Sequence, residues 1–161
     1  MKPVALAAVV TLWAGLGLAQ PSKPIYNGHG YAYFGIGGRT QVGTSFLSFG
    51  GGGEGFLYKG LAAGAELAYM APRCCMNEGI GLLGISGAHH FVNRRAPGRV
   101  VPFVTAGFTG GFRSGWGNLW NWGGGATVWM NDHLGLRLEV RDLRQRRCWF
   151  NTSLRVGLSF R

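Results

Sequence analysis

The chain has 161 residues, thirty of them glycine, and sixteen lysines and arginines face only six acidic residues, for a formal charge of +10. Glycine is far above its usual ~7%, yet it lies inside apolar and aromatic runs, which excludes a low-complexity linker. So basic a chain invites a nucleic-acid reading, but the lysines and arginines form no compact stripe, and the N-terminus directs the chain out of the cell.

Residues 1–19 have the three parts of a secretory signal peptide. Lys2 supplies the positive start, Val4 to Leu18 is an almost unbroken apolar run, and Gly17 and Ala19 are the small residues of a cleavage site after Ala19. The apolar run is about fifteen residues, short of the ~20 that span a bilayer. Processing would leave residues 20–161 as one exported domain, with the charge falling from +10 to +9 as Lys2 leaves. No later stretch could form a spanning helix, because each apolar run is broken by Gly, Glu or Arg.

Turn signals divide the rest into eight segments: Gly30–Gly38, Ser45–Leu57, Leu61–Ala71, Gly79–Phe91, Val100–Phe112, Asn118–Met130, His133–Asp142 and Cys148–Arg161. Each is about the ~9–11 residues a tilted strand needs to cross the hydrocarbon layer, or slightly longer. Short connections alternate with longer polar ones, as in a barrel with turns at one end and loops at the other. An even count puts both termini at the same end, and eight strands enclose an interior filled by side chains.

The last segment alternates most cleanly. Phe150, Thr152, Leu154, Val156, Leu158 and Phe160 form one row, and Asn151, Ser153, Arg155, Gly157, Ser159 and Arg161 the other. In the segment before it, Leu134, Leu136, Leu138 and Val140 oppose Gly135, Arg137, Glu139 and Arg141. Glu54 and Glu66 fall on polar rows of the second and third segments. Three of the six acidic residues thus share polar rows with Arg137, Arg141 and Arg155, an arrangement suited to a paired charge network inside a barrel. In a soluble barrel the same charges would meet water and the apolar rows would fill the core, but Phe34, Phe108, Trp120 and Trp122 are large for that role. The expected fold is all-β: a closed eight-stranded antiparallel transmembrane β-barrel.

The run from Val101 to Phe108, then Trp122–Ala126, His133–Asp142 and the closing Val156-Gly157-Leu158-Ser159-Phe160-Arg161, resembles the eight-stranded outer-membrane barrel domain of OmpA- and OmpX-like proteins. The resemblance is strongest over the last sixty residues. It implies a Gram-negative outer-membrane location and insertion by the barrel-assembly machinery, with Gly157, Leu158 and Phe160 in the terminal strand as the assembly signal. It leaves no room for the peptidoglycan-binding domain that some relatives carry.

Arg39, Arg73, Arg113, Arg144, Arg146 and Arg147 map to the expected external loops, where guanidinium groups suit the phosphates of lipopolysaccharide. Lys59, Arg94, Arg95 and Arg99 map to the opposite turns. Cys74, Cys75 and Cys148 all fall at the loop end, so Cys148 could form a disulfide with one of the adjacent pair. Their spacing matches no standard zinc pattern, and no metal or cofactor is expected. Parity sends one of His89 and His90 inward and one outward, which reads as packing near the barrel end. Ser86 and His90 share a face but stand ~13 Å apart at strand rise, too far for a nucleophile and its base. The reading is a monomeric, non-enzymatic barrel among outer-membrane lipids and lipopolysaccharide. The alternatives are a soluble barrel that binds an apolar ligand and a lipid A-modifying enzyme.

Overall fold

The computed structural model describes residues 27–39, 44–91, 99–113, 116–145 and 149–161. The leader, Arg94, Arg95, Arg146, Arg147 and Cys148 lie outside the described residues, and so does the side chain of Arg39. Eight strands follow in chain order: β1 (Gly28–Arg39), β2 (Ser45–Tyr58), β3 (Leu61–Pro72), β4 (Ile80–His90), β5 (Val100–Phe112), β6 (Trp116–Trp129), β7 (Leu134–Gln145) and β8 (Trp149–Phe160). Each pairs antiparallel with its neighbours in sequence. β8 returns to β1, with Gly30 opposite Phe160 and Arg39 opposite Asn151, and the sheet closes. Closure leaves no strand with an unpaired edge.

Side-chain direction follows the period of two. Phe34, Phe49, Leu67, Ile85, Phe108, Trp120, Trp122, Val140, Leu154, Val156 and Leu158 all stand on the outer surface, Phe34 at 53% exposure and Trp120 at 57%. Glu54, Glu66, Arg137, Glu139, Arg141 and Arg155 are buried in the interior, Arg137 at 2%. The apolar surface is outside and the charge inside, the reverse of a soluble barrel and the arrangement of a transmembrane one.

Several strands run past the segments their alternation suggests; β1 spans Gly28–Arg39, so Arg39 ends a strand rather than lying in a loop. β6 begins at Trp116, and β7 runs on to Gln145, so Arg144 belongs to a strand rather than a loop. The polarity pattern reverses there: Asp142 and Arg144 face outward opposite Trp122 and Trp120, while apolar Leu143 points in and is buried. Beyond the apolar belt the outer face turns polar, which hides the end of the strand from a reading based on apolar-out alternation.

Two connections at the end that carries the chain termini, β2–β3 and β6–β7, are short. β2 and β3 join through Lys59 and Gly60, which have φ of 43° and 85°. Positive φ at both central residues is the hairpin geometry that suits the right-handed twist of the strands, and glycine adopts it without strain. A Cβ on Gly60 would also lie 2.3 Å from the carbonyl oxygen of His90, whose N–H donates to the Gly60 carbonyl at 2.8 Å. At the opposite end, β3 and β4 join through a 3₁₀ turn, Met76–Glu78.

The outer belt generates a direct test. Val156 lies mid-strand on the outer face, flanked across the sheet by Phe34 and Leu138. Val156→Arg is expected to destabilise the barrel by about 2–4 kcal/mol, the cost of an arginine near a bilayer midplane, whereas Thr152→Arg near the strand's polar end should cost far less. Equilibrium unfolding from phospholipid vesicles checks the difference.

Candidate functional site

The barrel interior is built in three layers. At the loop end Leu82 and Leu143 are buried with Tyr31, Tyr33 and Ala68, and Met70, Ile80 and Leu119 pack against them. At the terminal end His29 and His90 sit among Phe56, Phe103 and Trp129. Between the two lies a continuous run of charged groups.

That run begins at Glu54 on β2. One carboxylate oxygen, Oε2, lies 2.6 Å from His90 Nε2 and 3.8 Å from His29 Nε2; the other accepts from Arg137 Nη2 at 2.9 Å. Arg137 spends a second donor, Nε, on Glu139 at 3.1 Å, and its Nη1 lies 3.4 Å from His29 Nε2. Its guanidinium plane is held over the rings of Phe103 and Tyr31, with centroids at 4.0 and 4.4 Å. Such contacts satisfy a buried cation on its faces as well as its edges. Glu139 passes the chain on to Arg141 Nε, and Arg141 Nη1 lies 3.7 Å from Glu66 Oε2. Glu66 also accepts from Arg155 Nη1 at 3.0 and 3.1 Å, from Tyr31 at 3.1 Å and from Tyr33 at 2.9 Å. Arg155 in turn lies over the Tyr33 ring at 4.3 Å. Three carboxylates and three guanidinium groups thus neutralise one another across β2, β3, β7 and β8.

Small residues make the room. Gly52 on β2 faces Tyr31, and a Cβ there would lie 2.4 Å from the Ala65 carbonyl oxygen and 2.8 Å from the tyrosine hydroxyl. Any larger residue would push Tyr31 away from Glu66.

All six charged residues that parity placed inside belong to this network. His29, His90, Tyr31 and Tyr33 belong to it as well, and parity alone does not reveal them. His90 is the inward member of its pair, but it is bonded to Glu54 rather than merely packed at the barrel end. Ser86 shares the inward row of β4 with His90, whose imidazole is committed to Glu54.

The loop-end residues are more dispersed. Arg73 and Arg113 are exposed beside the β3–β4 and β5–β6 connections, and Arg113 Nη1 donates to the Glu78 carbonyl at 2.6 Å. Cys74 and Cys75 carry free thiols, with Cys75 Sγ donating to Cys74 Sγ at 2.9 Å, a contact that pushes the Cys75 thiol up from its ordinary pKa. At the terminal end Gly157 turns inward, while Leu158 and Phe160 stand on the outer surface.

Neither a family model nor a curated protein matches the sequence. Solved structures do match the architecture. The N-terminal β-barrel domain of Pseudomonas aeruginosa OprF aligns with 83% of this chain and 98% of its own at a TM-score of 0.58 and 16% identity. Neisserial surface protein A aligns with 86% of this chain and 99% of its own at 0.63 and 9% identity. The fold is that of the eight-stranded outer-membrane barrels. A de novo designed transmembrane β-barrel has it too, at a TM-score of 0.54 and 18% identity over 87% of this chain and 98% of the design. At such identities the shared property is the outer-membrane-barrel fold alone.

Within that fold Glu66 is the most heavily bonded carboxylate described. Glu66→Ala would leave Arg155 buried without its partner and two tyrosine hydroxyls without an acceptor, an expected loss of about 3–5 kcal/mol. Tyr33→Phe removes one hydroxyl and should cost about 1 kcal/mol. Urea titration of both variants in the same vesicles checks the ratio.

Proposed function

We propose that this protein is a small integral outer-membrane barrel with a structural or surface-interaction role and no enzymatic activity. One observation carries the reading: a closed barrel with a continuous apolar exterior and a self-neutralised ionic interior. Water on the outside would meet Phe34, Ile85, Trp120 and Leu158, a surface no soluble barrel presents on this scale. A monomer suffices, since closure already satisfies the backbone of every described strand.

Signal-peptide export followed by insertion through the barrel-assembly machinery fits the terminal strand, with Leu158 and Phe160 on its outer face and Gly157 packed against the Ala32 carbonyl. The termini then lie on the periplasmic side and the β3–β4 connection outside. In that orientation Arg73 and Arg113 stand where lipopolysaccharide phosphates lie, with Arg144 on the outer wall beside Asp142 and Trp120. The proposed set also includes Arg39, Arg146 and Arg147. The interior, closed by the Leu82–Leu143 layer, leaves no role for it as a conducting pore.

Fractionation and gel mobility test the location. The protein is expected in outer membranes, running faster unboiled than boiled; recovery in the soluble fraction without heat modification would overturn the reading. For the surface role, Arg73→Ser combined with Arg113→Ser should weaken binding of the reconstituted barrel to lipopolysaccharide several-fold while leaving its gel mobility unchanged. Equal binding by the parent and the variant would remove these arginines from the proposed contact.

A further inference from the structure

The two histidines at the terminal end of the interior do more than fill space. His29 enters on β1, Glu54 on β2 and His90 on β4, and all three are buried. One potential ligand atom from each residue lies within 4.8 Å of the others, and both Nε2 atoms approach the same carboxylate oxygen, Glu54 Oε2. Two ligands that each stand about 2.0–2.2 Å from a zinc ion are at most ~4 Å from each other. The observed 2.6 and 3.8 Å fall within that limit, and the three ligand atoms, all within 4.8 Å of one another, would have to draw together around the ion.

The surroundings also suit an ion. Arg137 holds the other Glu54 oxygen at 2.9 Å, so the carboxylate is oriented by a hydrogen bond in the way metal-ligating carboxylates usually are. The rings of Phe56, Phe103 and Trp129 wall the imidazoles in, with Phe103 stacked on His90 at 5.4 Å and Phe56 edge-on at 5.0 Å. The apolar layer of Leu82 and Leu143 closes the other end of the interior, so an ion would enter from the terminal end.

We propose that His29, Glu54 and His90 form a binding site for a divalent cation of the zinc class, with two imidazoles and one carboxylate as ligands and one position left for water. Binding at Nε2 uses His90 as its Nδ1–H tautomer, the proton that bridged Nε2 to Glu54 passing to Nδ1, and it moves Arg137 Nη1 away from its 3.4 Å approach to His29. The nearby guanidinium opposes the charge of any dication and lowers affinity, while two imidazoles with a single carboxylate favour zinc over magnesium and calcium, which take mostly oxygen ligands.

Thiols can take up zinc nonspecifically, so the test uses the chain with Cys74, Cys75 and Cys148 changed to serine, refolded in detergent and checked for heat-modifiable mobility. Equilibrium dialysis against zinc is expected to show one ion per chain, with affinity falling at least tenfold in His29→Phe and in His90→Gln and no competition from a large excess of magnesium. Absence of saturable binding, or unchanged affinity in both histidine variants, overturns the proposal. If either variant fails to fold, X-ray absorption on the zinc-loaded cysteine-free protein decides: two imidazoles in the first coordination sphere support the site, and fewer than two exclude it.

Discussion

Closing eight strands into one sheet leaves a lumen just wide enough for side chains, and whatever points into it must be satisfied there. Glu66 shows what that requires. Its two oxygens accept from Arg155, Tyr31 and Tyr33 with Arg141 nearby, and all four of those residues come from strands that are not its sheet neighbours. A carboxylate buried there without donors would be costly, and so would an arginine without a carboxylate. The glycines on the inner rows, the tyrosines on β1 and the alternation of charge along β7 all follow from this one demand.

The outer surface follows from the same closure. With all backbone groups of the strands paired, the barrel can present bare aliphatic and aromatic side chains to hydrocarbon, and the only polar residues on that face gather toward its ends. Asp142 and Arg144, opposite Trp122 and Trp120, mark one such end. There Thr152 donates to Asp142, a small polar contact on a wall that is otherwise apolar.

Much of this was legible in the sequence because the period of two is rigid. Once β8 was seen to alternate, the parity of Arg155 was determined, and the same logic placed Glu54, Glu66, Arg137, Glu139 and Arg141. What parity cannot supply is height along the barrel and which strands face one another across the lumen. Tyr31, Tyr33, His29 and His90 each take their meaning from a residue on another strand 25 or more positions away, which alternation along one strand does not show. Strand ends were the other blind spot. The alternation that identifies a strand assumes one apolar row outside, and at Asp142–Gln145 the outer row becomes polar while Leu143 fills the inside.

The ionic run joins residues of β2 and β3 to residues of β7 and β8, strands that are not sheet neighbours. Neither half can neutralise itself: β2 and β3 bring only carboxylates, and β7 and β8 bring three arginines with a single glutamate. A partly assembled sheet would therefore carry opposite net charges on its two flanks, each unable to enter hydrocarbon alone and each drawn to the other. The groups that fill the finished lumen thus balance only when β2 and β3 stand in the same closed sheet as β7 and β8.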